Sequence, residues 1–501
     1  MTDQPAETFR PEARAPRGFV DKRARDLRAE RAILEAVSKV YERHGFEALD
    51  TGAFEYADAL GKFLPDSDRP NEGVFALQDD ADLEGKNGQW MALRYDLTAP
   101  LARFAAQNWE TLPKPFRRYA YGPVWRNEKP GPGRFREFIQ CDADTVGSAR
   151  PEADAEIIAM AVAGLEAAGL PRGSAVLKIN NRKLLDGILA GADVTNYAQK
   201  LAVLRAIDKL DRLSFDGVKL LLGAGRLDES GAFTKGAELS VAAIDAVMSY
   251  LTMSFTETRS QFIDNLSDTT KLHGGNDGLE EMAKIDAALK SLGIDDQQAT
   301  FDVSVVRGLE YYTGAVFEAE LLLSTLDEKG NKVSFGSIGG GGRYDDLIAR
   351  FTGQPVPATG FSFGVSRLAA ALRAAGHEPG DAARGPVVII NFDQAHMGEY
   401  FSLAADLRNA GIPAEVYLGT SGMRPQMKYA DRRMAPAAIM LGGDEIAAGT
   451  VTIKDLDLGR ELASGVADNA AWKAERPGQQ TIPRGDLVAA VRKIISGSVG
   501  G

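Results

Sequence analysis

The order of strand-like and helix-like segments is the feature that most limits how this chain can fold. Strand-like alternation occurs before residue 172 and resumes at Phe301–Glu320 and Lys332–Ile338. Between these regions, apolar residues recur at helical intervals over several segments. We therefore predict a helix-rich insertion at residues 172–296, inside a domain that the chain builds from both sides.

A second domain is predicted after a short linker. Residues 373–385 (RAAGHEPGDAARG) are small and polar and contain proline and glycine, which is typical of a linker. Short apolar runs then alternate with helical patterns, which predicts a small α/β domain with its own sheet. A chain of 501 residues also exceeds what one core usually supports. The predicted division is a leader at 1–17, a first domain at 18–171 and 297–378 interrupted by the insertion, a linker at 379–385 and a second domain at 386–497.

The composition excludes several classes of protein. The 70 acidic residues outnumber the 58 basic ones, and the formal net charge of -12 argues against a general coat protein for nucleic acid. A single cysteine, Cys141, excludes an intramolecular disulfide framework and a zinc site built from cysteines. We find no secretory signal and no apolar run that could span a bilayer, so we expect a cytoplasmic protein without membrane association.

Arginines cluster in a predicted β-hairpin in spite of this acidic balance. Phe116–Val146 alternates like two strands joined by a loop at residues 128–133, which two prolines stiffen. One face of the returning strand mixes cations, an aromatic ring, an amide and carboxylates: Arg134, Arg136, Phe138, Gln140, Asp142 and Asp144. The opposite face is predicted to be core: Phe135, Ile139, Cys141 and Ala143.

The hairpin has a functional and an ordinary interpretation. Guanidinium groups match phosphate oxygens, and a preorganised set can hold a polyphosphate throughout a reaction. We therefore expect nucleotide phosphates among Arg126 and Arg134, with Phe138 under the base and Glu128 accepting from an adenine amino group. The sequence contains no G-x-x-x-x-G-K-[ST] motif, so this would not be a P-loop site. The alternative is a solvated polar face without function.

Two further segments carry candidate site residues. GFSFGVSRL (360–368) places Arg367 near a predicted strand-to-helix transition. VRGLEYYTGAVFE (306–318) joins Arg307 to Tyr311 and Tyr312 ahead of a strand-like run. Each segment also has an ordinary alternative, a surface turn for the arginine and sheet packing for the tyrosines.

Together these motifs resemble the histidyl-tRNA synthetase family of class II aminoacyl-tRNA synthetases. VWRNEKPGPGRFREFIQCDADTVG resembles motif 2 of that class and GFSFGVSRL resembles motif 3. RGLEYYTG and GGGGRYDDL resemble segments characteristic of the histidyl enzymes, and LRYDLTAPLAR is similar to their histidine-site segment. The resemblance implies an α/β (α+β) fold, in which an antiparallel-sheet catalytic domain with a helical insertion precedes a C-terminal α/β anticodon-binding domain.

Matched position by position, the resemblance implies a site for each small substrate. The residues implied to bind histidine are Asp96, Thr98, Arg126, Gln140, Asp144, Arg307, Tyr311 and Tyr312. The residues implied to bind ATP are Arg126, Glu128, Arg134, Phe138 and Arg367. Arg126 and Arg307 are the implied catalytic residues, flanking the α-phosphate. Asp144 and Tyr312 would orient the imidazole ring, while the α-ammonium would lie near Asp96, Thr98 and Gln140.

The reaction implied by the resemblance is ATP-dependent ligation of L-histidine to tRNA(His) through a histidyl-adenylate, with release of AMP and diphosphate. ATP would enter with Mg²⁺, and neither zinc nor an organic cofactor is implied. The alternative is a non-catalytic, histidine-binding regulatory paralogue. The retained arginines and the recognisable C-terminal domain disfavour that alternative.

The resemblance also implies a homodimer formed through the motif 1 region. The segment DTGAFE has Gly52 where the family normally has a proline. This departure concerns the local geometry of the interface, and the amphipathic helix predicted before it, Asp26–His44, is retained.

Overall fold

The computed structural model describes most of the chain. The described residues are 11–60, 73–78, 89–130, 135–210, 212–227, 231–252, 258–270, 276–306, 308, 312–326, 332–334, 336–377, 384–463 and 478–497. The chain divides into two compact units, Met1–Pro379 and Gly380–Gly501. This division falls at the predicted linker.

The described helices and strands of the first unit are bounded as follows. The helices are α1 (Ala24–Arg43), α2 (Thr98–Asn108), α3 (Pro151–Ala167), α4 (Arg182–Gly191), α5 (Tyr197–Ile207), α6 (Phe215–Leu222), α7 (Val241–Thr252), α8 (Arg259–Thr270), α9 (Asn276–Ser291), α10 (Ala349–Thr352) and α11 (Val365–Ala374). The strands are β1 (Glu47–Ala48), β2 (Phe54–Tyr56), β3 (Ala76–Gln78), β4 (Trp90–Leu93), β5 (Phe116–Trp125), β6 (Glu137–Val146), β7 (Ala175–Asn181), β8 (Gly225–Leu227), β9 (Phe233–Lys235), β10 (Ala299–Phe301), β11 (Ala315–Leu321), β12 (Ser324–Leu326), β13 (Lys332–Ser334), β14 (Ser337–Arg343) and β15 (Ala358–Gly364).

A large sheet organises the first unit. Its eight strands lie in the order β1-β5-β6-β15-β14-β11-β7-β10. The pairs from β5 to β7 are antiparallel, and only the two outer pairs, β1 with β5 and β7 with β10, are parallel. Strands before and after the helical block both enter this sheet, which confirms the predicted mixed fold with a mainly antiparallel sheet.

The first strand within residues 172–296 belongs to the sheet, although the sequence pattern places it in the insertion. Strand β7 pairs antiparallel with β11, from Asn181 opposite Ala315 to Ala175 opposite Leu321. The side chain of Asn181 then accepts a hydrogen bond from the backbone N–H of Lys183 and caps α4. The helical part of the block therefore begins at Arg182.

The predicted hairpin is present in the sheet. Strands β5 and β6 pair antiparallel from Phe116 opposite Val146 to Trp125 opposite Glu137. Cys141 and Ala143 are fully buried in the main core, as expected. The expectation that Phe135 is core is wrong, because β6 begins only at Glu137 and the Phe135 side chain is 42% exposed.

Helices α1, α3 and α11 pack against one face of the sheet. Helix α1 matches the predicted helix closely, and Gly45, with φ of +79°, follows its end. Helix α3 approaches β15 so closely that a Cβ on Gly164 would lie 3.0 Å from the ring of Phe363. The apolar side chains between these helices and the sheet form the main core, which leaves the opposite face of the central strands for polar groups.

The second unit is a smaller α/β domain with its own sheet, as predicted. The bounds of its elements are β16 (Val387–Ile389), α12 (Met397–Asn409), β17 (Ala414–Val416), α13 (Met423–Arg432), β18 (Ala437–Met440), α14 (Gly443–Ala448), β19 (Thr450–Asp455), α15 (Leu456–Ala463), β20 (Gln479–Pro483) and α16 (Leu487–Gly497). Its strands form one five-stranded sheet in the order β17-β16-β18-β19-β20. Strand β20 carries no clear apolar alternation and was not expected from the sequence.

Candidate active site

The polar face of the sheet is open where β6, β15 and β14 run side by side. Gln140 lies opposite Gly364, and Ser362 lies opposite Gly340 on the next strand. A Cβ built on Gly340 would meet only a backbone oxygen, at 3.6 Å, and one built on Gly364 would meet a backbone oxygen at 3.5 Å and the Cβ of Arg367 at 3.9 Å. Glycine at these positions leaves a trough with a floor of backbone, which is a suitable shape for a small-molecule ligand.

Asp144 forms the buried centre of this face. Its Oδ2 lies 2.8 Å from Nη2 of Arg118, and both side chains are almost completely buried. The hydroxyl of Tyr344 donates to Oδ1 of the same carboxylate. Burial raises the pKa of Asp144, although Arg118 and the Tyr344 hydroxyl act in the opposite direction.

A neighbouring glycine makes room for that carboxylate. Gly360 faces Asp144 across the β6–β15 pair, and a Cβ at Gly360 would overlap with the carboxylate. The glycines of the motif 3 and GGGGRYDDL segments therefore contribute to the site because they have no side chain, which leaves room for the groups beside them.

Tyr312 lies three residues before β11, and its side chain reaches the same region. Its ring lies against Gly308 and Gly342, because a Cβ on either glycine would overlap with ring atoms. Burial raises the pKa of the Tyr312 phenol, and the charges of Asp144 and Asp96 raise it further. The structure thus brings together Tyr312, Asp96 and Asp144, for which the family resemblance implies a common site.

The start of α2 supplies a second polar edge. Oδ1 of Asp96 accepts hydrogen bonds from the backbone N–H groups of Thr98, at 3.0 Å, and Ala99, at 2.9 Å. Thr98 is half-buried as the first residue of the helix. Across the trough, Gln140 is buried, and within the described part of the chain its Oε1 has no hydrogen-bond partner. A buried amide oxygen without a partner is a binding position for a donor group on a ligand.

The guanidinium of Arg126 packs against two aromatic rings. Its guanidinium carbon is 4.3 Å from the ring centroid of Tyr95 and 5.2 Å from that of Phe138. The Tyr95 hydroxyl donates to Glu128 Oε1 at 2.9 Å, and burial raises the pKa of Tyr95 to about 12. Phe138 and Glu128, both predicted to contact adenine, therefore contact protein groups here and share one cluster with Arg126.

Arg367 lies in the first turn of α11, directly after β15. The strand-to-helix transition predicted for its segment is confirmed. Its Nη1 donates to the carbonyl oxygen of Ser337 at 2.8 Å. The other predicted site residues, Arg134, Arg307 and Tyr311, lie outside the described residues.

Sequence reasoning did not assign three residues that the structure places in this cluster. Tyr344 and Arg118 hold Asp144, and Tyr95 joins Arg126 to Glu128. Tyr344 and Tyr95 both lie in segments that resemble those of the histidyl enzymes, GGGGRYDDL and LRYDLTAPLAR. For Arg118 the sequence offers weaker evidence of a role in the site, namely a cation at an inward-facing position of a strand-like run.

Asp142 is a second carboxylate of β6 on this face, beside Asp144. It is 1% exposed, and burial raises its pKa to about 8 in spite of the nearby Arg118. A proton on this group is therefore stable near neutral pH.

The structure gives two results on metals and membranes. Among the described residues, no three His, Cys, Asp or Glu side chains are grouped so that they could hold a metal ion. None of the described helices is long and apolar enough to cross a membrane.

Comparison with known proteins extends the resemblance over nearly the whole chain. The family model described as "Histidyl-tRNA synthetase" matches residues 18–368, and that described as "Anticodon binding domain" matches residues 386–494. A protein named histidine–tRNA ligase from Caulobacter vibrioides is 78% identical over 99% of each chain, and one from Brucella ovis is 52% identical over 96% of each. The crystal structure of histidyl-tRNA synthetase from a Nostoc species has a TM-score of 0.70 at 27% identity, covering 97% of this chain and 100% of that one.

The family matches cover both compact units, and the first match contains every predicted site residue. The match to the Caulobacter protein spans 99% of this chain and so includes the hairpin, the strands of the trough and the second unit. On these grounds the chain belongs to the histidyl-tRNA synthetase family.

Proposed function

We infer that the protein is a histidine–tRNA ligase, a class II aminoacyl-tRNA synthetase that uses ATP to join L-histidine to tRNA(His). The observation that carries this inference is the buried grouping of Asp144, Arg118 and Tyr344 below an open trough, with Arg126 on its aromatic support at one edge. Full-length identity with proteins named histidine–tRNA ligase supports the same reaction.

Histidine would lie with its ring over Asp144 and Tyr312. A neutral imidazole has one donor and one acceptor, so a carboxylate and a phenol can orient it. Arg118 and Tyr344 hold the Asp144 carboxylate in place, which fixes where the ring is accepted. The α-ammonium would lie among Asp96, Thr98 and the amide oxygen of Gln140, which has no hydrogen-bond partner among the described residues. Because such a site leaves buried polar groups unpaired with other amino acids, it discriminates strongly without editing.

Chemistry would begin with in-line attack of the histidine carboxylate on the α-phosphorus of ATP. The oxygen–phosphorus bond to diphosphate breaks as the new bond forms, giving histidyl-adenylate and diphosphate. Arg126 and Arg307 would flank the α-phosphate, and Arg134 and Arg367 would lie near the distal phosphates. A ribose hydroxyl of the tRNA 3′ end then takes the histidyl group and AMP leaves. The protein supplies positioning and positive charge and no nucleophile.

ATP would enter as its magnesium complex, so that Mg²⁺ arrives with the substrate. We propose no zinc site and no organic cofactor. Glu128 and Phe138 would contact adenine after exchanging their present protein partners, Tyr95 and Arg126, for the base.

The partner assignments follow from family membership. We propose domain bounds close to those predicted, with residues 386–497 binding the tRNA anticodon region. The helical block after β7 would contact the same tRNA. A homodimer through the motif 1 region, which includes DTGAFE and the helix α1 before it, and a cytoplasmic location complete the proposal.

The experiment that tests this function is histidine-dependent ATP–pyrophosphate exchange, followed by charging of tRNA(His). Exchange that requires histidine is the expected result. Absence of exchange would favour the regulatory paralogue, and exchange with another amino acid would refute the specificity. The retained arginines and the matched anticodon-binding region disfavour the paralogue.

A further inference from the structure

The segment before α1 contacts the hairpin loop. We call residues 16–22 the strap. The carbonyl oxygen of Gly18 accepts a hydrogen bond from the backbone N–H of Arg136 at 2.8 Å. The ring of Phe19 packs on Phe75, with centroids 5.7 Å apart, and the guanidinium of Arg136 lies 5.9 Å from the same Phe75 ring.

Arg136 connects the strap to residues proposed to bind ATP. Its carbonyl oxygen accepts from the backbone N–H of Arg126 at 2.9 Å. Its Nε donates to the carbonyl oxygen of Glu128 at 3.0 Å. Arg136 therefore connects Gly18 directly to Arg126, which is proposed to flank the α-phosphate, and to Glu128, which is proposed to contact adenine.

Only glycine fits at residue 18. Its φ is +88°, a left-handed conformation that side chains rarely adopt. A Cβ there would lie 2.9 Å from Cγ of Arg136 and 3.2 Å from Cβ of Pro130. Pro130 and Arg136 lie on opposite sides of the hairpin loop. A larger residue at position 18 would therefore displace the loop directly.

The other end of the strap is tied to the motif 3 helix. Nζ of Lys22 donates to Glu30 Oε1 at 2.6 Å and to Ser366 Oγ at 3.1 Å. Ser366 in turn donates to Glu30 at 2.7 Å and accepts from the backbone N–H of Ile139 at 3.2 Å. Ser366 precedes Arg367 and Ile139 follows Phe138, so this end touches both proposed nucleotide-binding segments.

We propose that the strap positions the ATP site and that Gly18 is a positioning residue for Arg126 and Glu128. The strap closes on the base of the hairpin loop at one end and on α11 at the other, and so sets the spacing between the two segments that hold the nucleotide. Arg126 is also among the residues implied to bind histidine. The groups proposed to hold the imidazole and the α-ammonium take no part in these contacts: Asp96, Thr98, Gln140, Asp144 and Tyr312. This inference rests on the proposed function.

The test is the substitution Gly18→Ala in the full chain. We expect the KM for ATP in pyrophosphate exchange to rise about tenfold or more, since misplacement by about 1 Å can reduce a rate by about a hundredfold. The histidine dissociation constant, measured by calorimetry without ATP, should stay within about twofold of the original value, because the groups proposed to hold the imidazole and the α-ammonium do not contact Arg136 or the strap. If Gly18 served only overall folding, the substitution would weaken the binding of both ATP and histidine.

Gly293→Ala is the matched control. Gly293 also has a left-handed φ, +76°, but no atom lies within 4 Å of a Cβ built there. It carries similar backbone strain without contact to the loop, so its KM for ATP should equal that of the unaltered chain.

Three outcomes would overturn the proposal. These are an unchanged KM for ATP in Gly18→Ala, equal losses of affinity for ATP and for histidine in that variant, and a similar rise of the KM for ATP in Gly293→Ala.

Lys22→Gln gives a second measurement if Gly18→Ala does not fold, because it loosens the other end of the strap and leaves the backbone unstrained. An unchanged KM for ATP in Lys22→Gln would also overturn it. Lack of exchange by the unaltered chain would instead refute the proposed function, so the two failures are distinguishable.

Discussion

Arg118 and Asp144 form a salt bridge of 2.8 Å on adjacent strands of the large sheet, with side chains that are 0% and 3% exposed. They face each other directly in the β5–β6 register. The guanidinium also donates to the carbonyl oxygen of Leu97, just before α2. One buried ion pair thus connects the proposed imidazole contact to the helix that presents Asp96 and Thr98.

Replacing Arg118 should damage both stability and histidine binding. Arg118→Met leaves Asp144 buried without its cation, and losing one partner of a buried pair costs about 3–5 kcal/mol. The urea-unfolding midpoint should fall, and the affinity for histidine should fall with it. Arg259→Met is the control, because Arg259 forms a similarly buried pair with Asp286 in the helical block. Its stability should fall while histidine affinity is retained, and equal losses of affinity would contradict the assignment.

The Tyr344 hydroxyl should contribute specifically to histidine binding. Tyr344→Phe removes the donor to Asp144, and a hydrogen bond to a charged group contributes about 1.5–3 kcal/mol. We expect the KM for histidine to rise by about tenfold or more, since 1.4 kcal/mol is a factor of ten. Tyr250→Phe removes a comparable buried hydroxyl, which donates to Asn180 at 2.9 Å. The assignment fails if both variants change the KM for histidine equally.

Added volume should be tolerated at one glycine of the trough and harmful at another. Gly360→Ala drives a methyl group into the Asp144 carboxylate, and overpacking of this kind costs about 1–3 kcal/mol. In Gly340→Ala the methyl group meets only a carbonyl oxygen at 3.6 Å, so the free energy of unfolding should change by about 0.5 kcal/mol or less. Thermal unfolding of the two variants measures this difference. Equal destabilisation would show that Asp144 does not occupy the space beside Gly360.

Arg307 should act on the chemical step. The family resemblance places Arg307 beside the α-phosphate, where removing one charge-stabilising group typically costs about 10²–10³ in rate. Arg307→Ala should therefore slow adenylate formation by about that factor, while the histidine dissociation constant changes little. Single-turnover adenylate formation and equilibrium histidine binding separate the two effects. A comparable loss in both would show that Arg307 contributes ground-state binding instead.

Asp142 should make stability fall as pH rises. Burial raises its pKa from 3.8 to about 8, so between these values the folded chain holds a proton that the unfolded chain has released. This contribution is fully present below pH 3.8 and is lost as the pH rises through about 8. Relative to the original chain, Asp142→Asn should gain stability by up to about 1.4 kcal/mol per pH unit across this window. Urea midpoints at pH 5, 6, 7 and 8 measure it, and a constant difference would mean that Asp142 is ionised throughout.

Local sequence patterns predict much of the fold. The alternation in Phe116–Val146, the helical spacing after Asp26 and the strand-to-helix change at Gly364 each involve neighbours in sequence, and all three are confirmed. The sequence pattern does not separate strand β7 from the helical block, because a short apolar run beside helices is compatible with a buried strand and with a buried helix segment. The family resemblance predicted the histidine-site residues, of which the structure brings together Asp96, Asp144 and Tyr312.

Tertiary structure alone decided which groups support those residues. Tyr344 reaches Asp144 across 200 positions of sequence, and Ser366 reaches Glu30 across 336. Neither contact follows from periodicity, because each depends on the order in which distant strands and helices pack. The sequence by itself determined the local elements and the polar residues that they carry. The pairing of β6 with β15 and the closure of the strap decided which of those residues meet, since hydrogen bonds and ion pairs form only where packing brings the groups within about 3 Å.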